Sequence, residues 1–350
     1  MTGVSVIICC YNSSKRLPKT LDHLKVQEVP SHIKWEVIVV DNASTDNTSN
    51  LAKEYWGNHP VPLRVITEMK PGLSNARTAG INSSKYDYVT LVDDDNWVEK
   101  RWVEKTFKIL HTNPDVALCG GQGTGVFETE RPFWFDNFER AYAIGPQNNI
   151  TGILPPNNSF LYGAGLGIKK EILQNLLRSG YKFWLTDRSG KKLSSGGDFE
   201  LCLVMSLLGY KLYYDNDMTF YHYMPAGRLT WDYMIKLARG FGRSTAVIQQ
   251  YQVLVYQKKG FERLKFRNYF LSVLMSAYRV VKATLIIVPL LFSDKTGSSK
   301  YYKFVYNIHS LLSKLSFYSN HKKLINDLEN GKWKSVSANR ISKEKEKQIA

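Results

Sequence analysis

Short, nearly continuous apolar runs alternate with segments of helical spacing along the first third of the chain. Val4–Cys10, Trp35–Asp41, Leu63–Thr67 and Tyr88–Asp93 are rich in Val and Ile, whereas Arg16–Gln27, Asp46–Trp56 and Leu73–Asn82 space their apolar residues as helices do. Strands covered on both faces lose the apolar/polar alternation, so the pattern predicts a mostly parallel sheet between helices. A further helix is predicted over Trp97–Thr112, where Trp102, Val103, Phe107 and Leu110 fall at helical spacing. From Val116 the pattern loosens into Gly120-Gly121-Gln122-Gly123-Thr124-Gly125 and Phe133-Trp134-Phe135, which reads as a long loop. A second strand-like run is expected at Phe160–Ile168, then a helix at Asp198–Leu208 and short strands at Leu212–Tyr214 and Met218–His222. Beyond about Thr230 the chain becomes helical and basic, with charge-free segments Asn268–Tyr278 and Ala283–Ser293 separated by Arg279 and Lys282.

These shifts divide the 350 residues into 1–115, 116–254 and 255–350. A composition of 43% hydrophobic and 22% charged residues excludes a largely disordered or collagen-like chain. The formal charge of +16 is unevenly placed: residues 1–254 carry +3 and residues 255–350 carry +13. Neither apolar segment of the last part approaches the ~20 residues of a membrane span. That part is therefore expected either to pack as a helical subdomain or to lie as an amphipathic surface on anionic lipid. Its Lys343–Lys347 end reads as a solvated tail or frayed helix. The four cysteines, Cys9, Cys10, Cys119 and Cys202, suggest neither a disulfide framework nor a metal pair. No basic leader precedes Val4, which is the pattern of a cytoplasmic chain.

The sharpest chemical signal is Leu91-Val92-Asp93-Asp94-Asp95-Asn96, three carboxylates directly after an apolar strand. Side by side they repel, so a fold that keeps them there needs a compensating cation. That end of a parallel strand is also where open α/β sheets bind ligands, and closely spaced Asp oxygens suit Mg²⁺ or Mn²⁺. A solvated turn or helix cap is the plainer alternative. Asp41, which ends the second strand, with Asn42 and with Tyr11 and Asn12 after the first, makes a candidate nucleoside wall. Gly72 opens a helix whose N–H groups favour anions. On that helix Arg77 pairs with phosphate, holds the carboxylates or is an ordinary surface residue. Gly196-Gly197-Asp198-Phe199-Glu200 follows Ser194-Ser195 and leads into an apolar helix; Asp198 there is either an N-cap or a general base. His222, alone, reads more simply as a core histidine. Neither common Gly-rich phosphate-loop spacing is present.

In order and spacing, the blocks Val4–Asn12, Glu36–Thr45, Gly72–Gly80, Leu91–Asn96 and Gly197–Leu201 resemble the family 2 glycosyltransferases of the GT-A fold, over roughly residues 3–245. The resemblance implies a Rossmann-like, mostly parallel sheet and an inverting transfer of sugar from a nucleotide diphospho-sugar, UDP-linked by association, to an acceptor hydroxyl. On that reading residues 1–115 form the donor-binding half, 116–254 the acceptor and catalytic half, and 255–350 a basic helical extension. Tyr11, Asn12, Asp41, Asn42, Gly72, Arg77, Asp93 and Asp94 would meet the donor. Asp93, Asp95 and His222 would hold Mn²⁺ or Mg²⁺, and Arg228 would stand near the diphosphate. Asp198 falls at the position of the catalytic base, although Gly197 replaces the family's usual Glu and leaves Glu200 as an alternative. Gly163, Ala164 and Gly165 are expected to end a strand where a sugar approaches the backbone. Phe133, Trp134, Phe135, Trp184 and Trp231 are candidates for sugar stacking.

The competing enzyme class is a nucleotidyltransferase, but Cys9-Cys10-Tyr11-Asn12-Ser13-Ser14 lacks the Gly-rich, basic loop that class carries after its first strand. A basic nucleic-acid-binding protein is disfavoured because the ligand pocket is acidic and far in sequence from the basic end. A non-catalytic sugar-binding module is the remaining alternative. The acceptor expected is a glycan or a lipid-linked saccharide used in cell-surface polysaccharide synthesis, met at the inner face of an anionic membrane.

Overall fold

The computed structural model describes residues 1–155, 160–185, 196–258, 269–288 and 294–337. Ser194, Ser195, Asn268, residues 289–293 and the Lys343–Lys347 tail lie outside them. The first half alternates strand and helix: β1 Val4–Cys10, α1 Leu17–Lys25, β2 Trp35–Asp41, α2 Thr48–Trp56, β3 Leu63–Thr67, α3 Leu73–Ser83 and β4 Tyr88–Asp93. Then come β5 Asn96–Val98, α4 Trp102–Thr112, β6 Val116–Phe127, β7 Gly152–Ile153, β8 Leu166–Lys169, α5 Lys170–Arg178, α6 Gly197–Leu207 and β9 Lys211–Met224. Toward the end of the described residues come three long helices, α7 Trp231–Lys258, α8 Tyr269–Ile287 and α9 Ser299–Asn330.

The strands make one sheet in the order β3-β2-β1-β4-β8-β6-β9-β5, with β7 also on β9. Strands β1 to β4 pair in parallel, and β8 joins antiparallel to both β4 and β6. Both faces of β1, β2 and β4 are buried, as their unbroken apolar runs require, while the edge strand β3 is half-buried. In β1, Val4, Val6 and Ile8 face Leu17, Leu21 and Leu24 of α1 together with α4, while Ile7 faces Ala76 and Ile81 of α3. Pro18 opens α1, where its missing N–H has no intrahelical partner to lose.

Four expectations change. The glycine-rich stretch from Gly120 is strand, not loop: a Cβ on Gly121 would lie 1.7 Å from Met218 O, and one on Gly123 2.2 Å from Ala143 O. Bare backbone is what lets β6 lie so close to β9. Helix α4 starts at Trp102, because Asn96–Val98 pairs antiparallel with Phe220–His222 instead. The two short runs after Lys211 are the single strand β9. Gly163, Ala164 and Gly165 precede β8 rather than end a strand, and Gly165, at φ +70°, packs its backbone on Trp102.

The basic end folds as helices on helices. Within the described residues, 269–278 and 283–287 of the two charge-free segments are joined through Arg279 and Lys282 into α8, which packs on α9 through Ser272 and Ser276. Between them Lys314 is buried, its Nζ donating to Ser276 Oγ at 2.8 Å and to Ser272 O at 3.4 Å, while Tyr269 OH donates to Lys314 O at 2.6 Å. Burial, with Arg279 adding repulsion, pushes the Lys314 amine down to about 8. A base that is weaker when folded binds fewer protons than the unfolded chain does, so its contribution to stability rises as pH climbs through that value. Lys314→Met is therefore expected to raise the thermal midpoint at pH 7, with the gain over wild type shrinking by pH 9.5. Denaturation curves across that range check it, and a pH-independent difference contradicts it.

Candidate active site

The carboxyl ends of β1, β2 and β4 open on a cavity of 1080 Å³ whose floor is Asp93-Asp94-Asp95. Each of the three carboxylates meets its own arginine, and the three arginines come from different parts of the chain. Arg16, at the head of α1, reaches Asp94 Oδ2 at 2.6 Å; Arg77 of α3 stands 4.0 Å from Asp93 Oδ1; Arg228, in a short 3₁₀ turn after β9, reaches Asp95 Oδ2 at 3.0 Å. Ser13 Oγ also donates to Asp94, and Thr20 of α1 donates to its backbone carbonyl at 2.9 Å. Burial, reinforced by Asp95, pushes the Asp94 carboxyl up, and Arg16 opposes that shift. Arg228 works against its own burial but stays charged beside Asp95.

His222 arrives by strand pairing. Asn96 of β5 lies opposite His222 of β9, so the residue before Asn96, Asp95, sits beside the imidazole, with Nε2 3.6 Å from Asp95 Oδ1. The other ring nitrogen, Nδ1, is 2.8 Å from Tyr142 O. A carbonyl can only accept, so Nδ1 carries the proton and Nε2 presents a lone pair. The carboxylate is a donor that Mn²⁺ and Mg²⁺ both accept, and the imidazole nitrogen beside it favours Mn²⁺ of the two. Among the described residues no three acidic, Cys or His side chains converge as a ready-made metal group; Asp95 and His222 supply two donors side by side. Asp93, expected in this set, lies near Arg77. Arg228 Nη1, 3.1 Å from His222 Nε2, sits between the two donors.

Tyr11, Arg16, Asn42, Gly72 and Arg77 line one side of the cavity. Asn42 fixes this wall: its Nδ2 donates to Glu68 O and Lys70 O, each at 2.8 Å, and its Oδ1 accepts from Gly72 N at 2.7 Å. Asp41 and Asn12 are not among the lining residues. The Asp41 carboxylate accepts from Ser44 N at 3.0 Å and from Ser49 Oγ, and Asn12 Oδ1 accepts from Thr45 N at 2.8 Å. Both side chains hold the turn behind the wall.

Asp198 faces the same cavity from the first turn of α6. Its Oδ2 accepts from Gly163 N at 3.0 Å and its Oδ1 from Phe199 N at 2.9 Å. Gly163 has no side chain because this carboxylate occupies the space: a Cβ there would lie 2.9 Å from Asp198 Oδ2. Ala164 lines the cavity, whereas Gly165 does not.

Glu200 is corrected as a base. It is fully buried, off the cavity, and saturated by Trp184 N at 2.9 Å, Leu185 N at 2.7 Å, Tyr181 OH at 2.9 Å and Tyr251 OH at 2.6 Å. It ties α6 to residues 181–185 and to α7. The stacking candidates also fall elsewhere. Trp134, Phe135 and Trp231 form an aromatic core, Phe133 is exposed away from the cavity, and Trp184 packs on Phe317 of α9. Cys9 and Cys10 do line the cavity, but burial pushes the Cys9 thiol up to about 12, and Cys10 is raised as well. Neither is a nucleophile at neutral pH.

A third wall comes from α7, whose Phe241, Ser244, Thr245, Ile248, Gln249 and Gln252 face the cavity together with Tyr306 of α9. Sequence reasoning missed this wall and Arg16. The signal for α7 was a polar stripe at helical spacing in Phe241–Gln252; for Arg16 it was a cation one turn beyond the first strand.

Residues 5–177 match glycosyl transferase family 2. Glycosyltransferase GlyA of Streptococcus pneumoniae is 31% identical over 149 residues, 42% of this chain and 20% of that protein. Poly-beta-1,6-N-acetyl-D-glucosamine synthase of Staphylococcus epidermidis is 32% identical over 119 residues, 34% of this chain and 28% of that protein. The matched segments thus span less than a third of these curated relatives. Among solved structures, the mannosyltransferase PcManGT of Pyrobaculum calidifontis, in complex with GDP-Man and Mn²⁺, has a TM-score of 0.56 at 20% identity over 89% of this chain and 86% of that one. S. aureus TarS 1-349 in complex with UDP-GlcNAc has a TM-score of 0.51 at 17% identity, covering 91% and 92%. These structures share the fold; the match over residues 5–177 is what assigns the chain to glycosyl transferase family 2.

Proposed function

We propose that the protein is a metal-dependent, inverting glycosyltransferase that moves a sugar from a nucleotide diphospho-sugar to an acceptor hydroxyl. The observation that carries this is the placement of Asp198 across one cavity from the arginine-matched Asp93-Asp94-Asp95 floor. The donor nucleotide we infer is uridine; UDP-GlcNAc and GDP-Man in the two fold neighbours support the wider donor class. Residues 1–115 hold the donor, 116–254 the acceptor and the base, and 255–350 form a helical extension. The acceptor is a growing or lipid-linked saccharide, in keeping with the polysaccharide synthase among the relatives. We place the reaction in the cytoplasm, at the inner membrane face.

Tyr11 and Asn42 bound the nucleoside end, with Asp41 and Asn12 shaping the turn behind them. The N–H groups at the head of α3, with Arg77, face the diphosphate, where helix dipole and guanidinium favour anionic oxygen. A divalent ion at Asp95 and His222, when bound, supplies Lewis-acid stabilisation of charge on the departing diphosphate. The two N–H bonds to Asp198 aim its carboxylate at the acceptor. The acceptor hydroxyl gives its proton to Asp198 as its oxygen bonds to the anomeric carbon, and the bond to the diphosphate oxygen breaks in the same displacement. One displacement inverts the anomeric configuration and requires no protein nucleophile.

Asp198→Asn should lower transfer by about 10²–10⁴-fold while donor affinity, measured by calorimetry, stays at the wild-type value; full turnover in the variant would remove the base assignment. EDTA should abolish release of nucleoside diphosphate and Mn²⁺ restore it, with His222→Ala needing about 10–100-fold more metal; activity undiminished in EDTA argues against the ion. Thr245→Ala and Gln249→Ala should raise the acceptor KM and leave donor hydrolysis in the absence of acceptor unchanged. A rise in donor KM instead would move α7 to the other substrate.

A further inference from the structure

The outward face of α8 is the largest feature that the reaction leaves unused. Tyr269, Ser272, Ser276, Ala283 and Ile287 are its buried stripe, turned to α9. On the opposite side Phe270, Leu274, Tyr278, Val281 and Leu285, spaced by four, four, three and four residues, form an exposed apolar stripe, each at least half exposed: 64%, 50%, 66%, 59% and 70%. Five large side chains in one row are more apolar surface than a soluble helix ordinarily shows to water. A packed helix normally has its polar face outward; α8 has the reverse.

Charge says what covers it. Exposed Arg279 and Lys282 lie on the flank between the buried and the exposed stripes, and residues 255–350 carry +13. Apolar side chains beside cations, with Tyr and Phe in the row, suit a bilayer interface bearing anionic headgroups. We propose that α8 lies in the plane of an anionic membrane, its outward stripe buried at the headgroup boundary and Arg279 and Lys282 paired with lipid phosphate.

By length and composition α8 could also cross a bilayer. Its inner face argues against that. Ser272 and Ser276 receive the Lys314 ammonium of α9, and Arg279 and Lys282 sit near mid-helix, where a spanning helix would carry them into hydrocarbon. The contact of Tyr269 with Tyr318 and His321, and of Ser272 and Ser276 with Lys314, keeps α8 antiparallel on the protein.

The surface is wired to the site. Ser272 of α8 donates to Gln249 Oε1 at 3.3 Å, and Gln249 lines the catalytic cavity. Membrane docking through α8 therefore brings the α7 wall beside the lipid, the place for a saccharide whose other end is a lipid carrier. This last step rests on the transferase reading above; the docking itself does not.

Flotation of the full chain with phosphatidylcholine vesicles, with and without phosphatidylglycerol, tests it. Wild type should float with the phosphatidylglycerol vesicles alone and lose binding as salt rises. Leu274→Ser and Leu285→Ser should each weaken binding about tenfold, and Arg279→Gln and Lys282→Gln about fivefold each with a shallower salt dependence. All four should keep the wild-type rate of nucleoside diphosphate release in solution, which separates a failed docking face from a failed transferase reading. Wild type that stays unbound, leucine variants that bind as well as wild type, or resistance to alkaline extraction would overturn the in-plane surface. Conversion of a dimer to a monomer by Leu274→Ser would instead assign the face to a second copy of the chain.

Discussion

Three adjacent aspartates cannot share the end of a buried strand unless each finds a positive partner, and the architecture answers that constraint. Arg16 sits just after β1, Arg77 in the helix after β3, and Arg228 beyond the last strand. The acidic turn is thus the point where the first unit, the third unit and the far end of the sheet are tied together. Removing any one arginine would leave a partly buried carboxylate short of its counter-charge, which is costlier than never having had the pair. Three charged pairs, and not apolar side chains, make the floor of the cavity.

How legible this was depended on which force placed each residue. Strands β1, β2 and β4 could be read to the residue because continuous apolar runs are written by burial on both faces, and the half-buried edge strand β3 by its β-branched Val65, Ile66 and Thr67. The acidic turn, Gly72, Arg77 and Asp198 were legible because charge or backbone chemistry at a strand or helix end stands out locally. Strand β6 was not: its glycines serve a contact with β9, nearly a hundred residues away. Nor was β5, whose residues have a helical pattern until His222 is known to lie opposite. Arg16 and the α7 wall matter only through partners distant in sequence, and the aromatic candidates look alike in sequence whether they stack on a sugar or on one another.

Two acidic residues near the site show how similar groups divide their work. Asp198 has N–H donors on both carboxylate oxygens and an open side toward the cavity. Glu200, two residues on, has four donors and no open side. One helix turn therefore presents a carboxylate to the cavity and is anchored by a buried one. The burial that pushes the Glu200 carboxyl up is opposed by the hydrogen bonds that surround it.

The pairing of β4 with β8 carries a consequence for motion. Leu91, two residues before the acidic turn, lies opposite Leu166, three residues after the glycine that holds Asp198. The acidic turn and the glycine that holds Asp198 thus extend from one end of the same ladder, so the gauge between them is set by backbone hydrogen bonds and not by a joint between lobes. A sheet shared by both halves cannot swing shut over a substrate. Enclosure, and any timing it imposes on the reaction, has to come from segments that hang off the sheet.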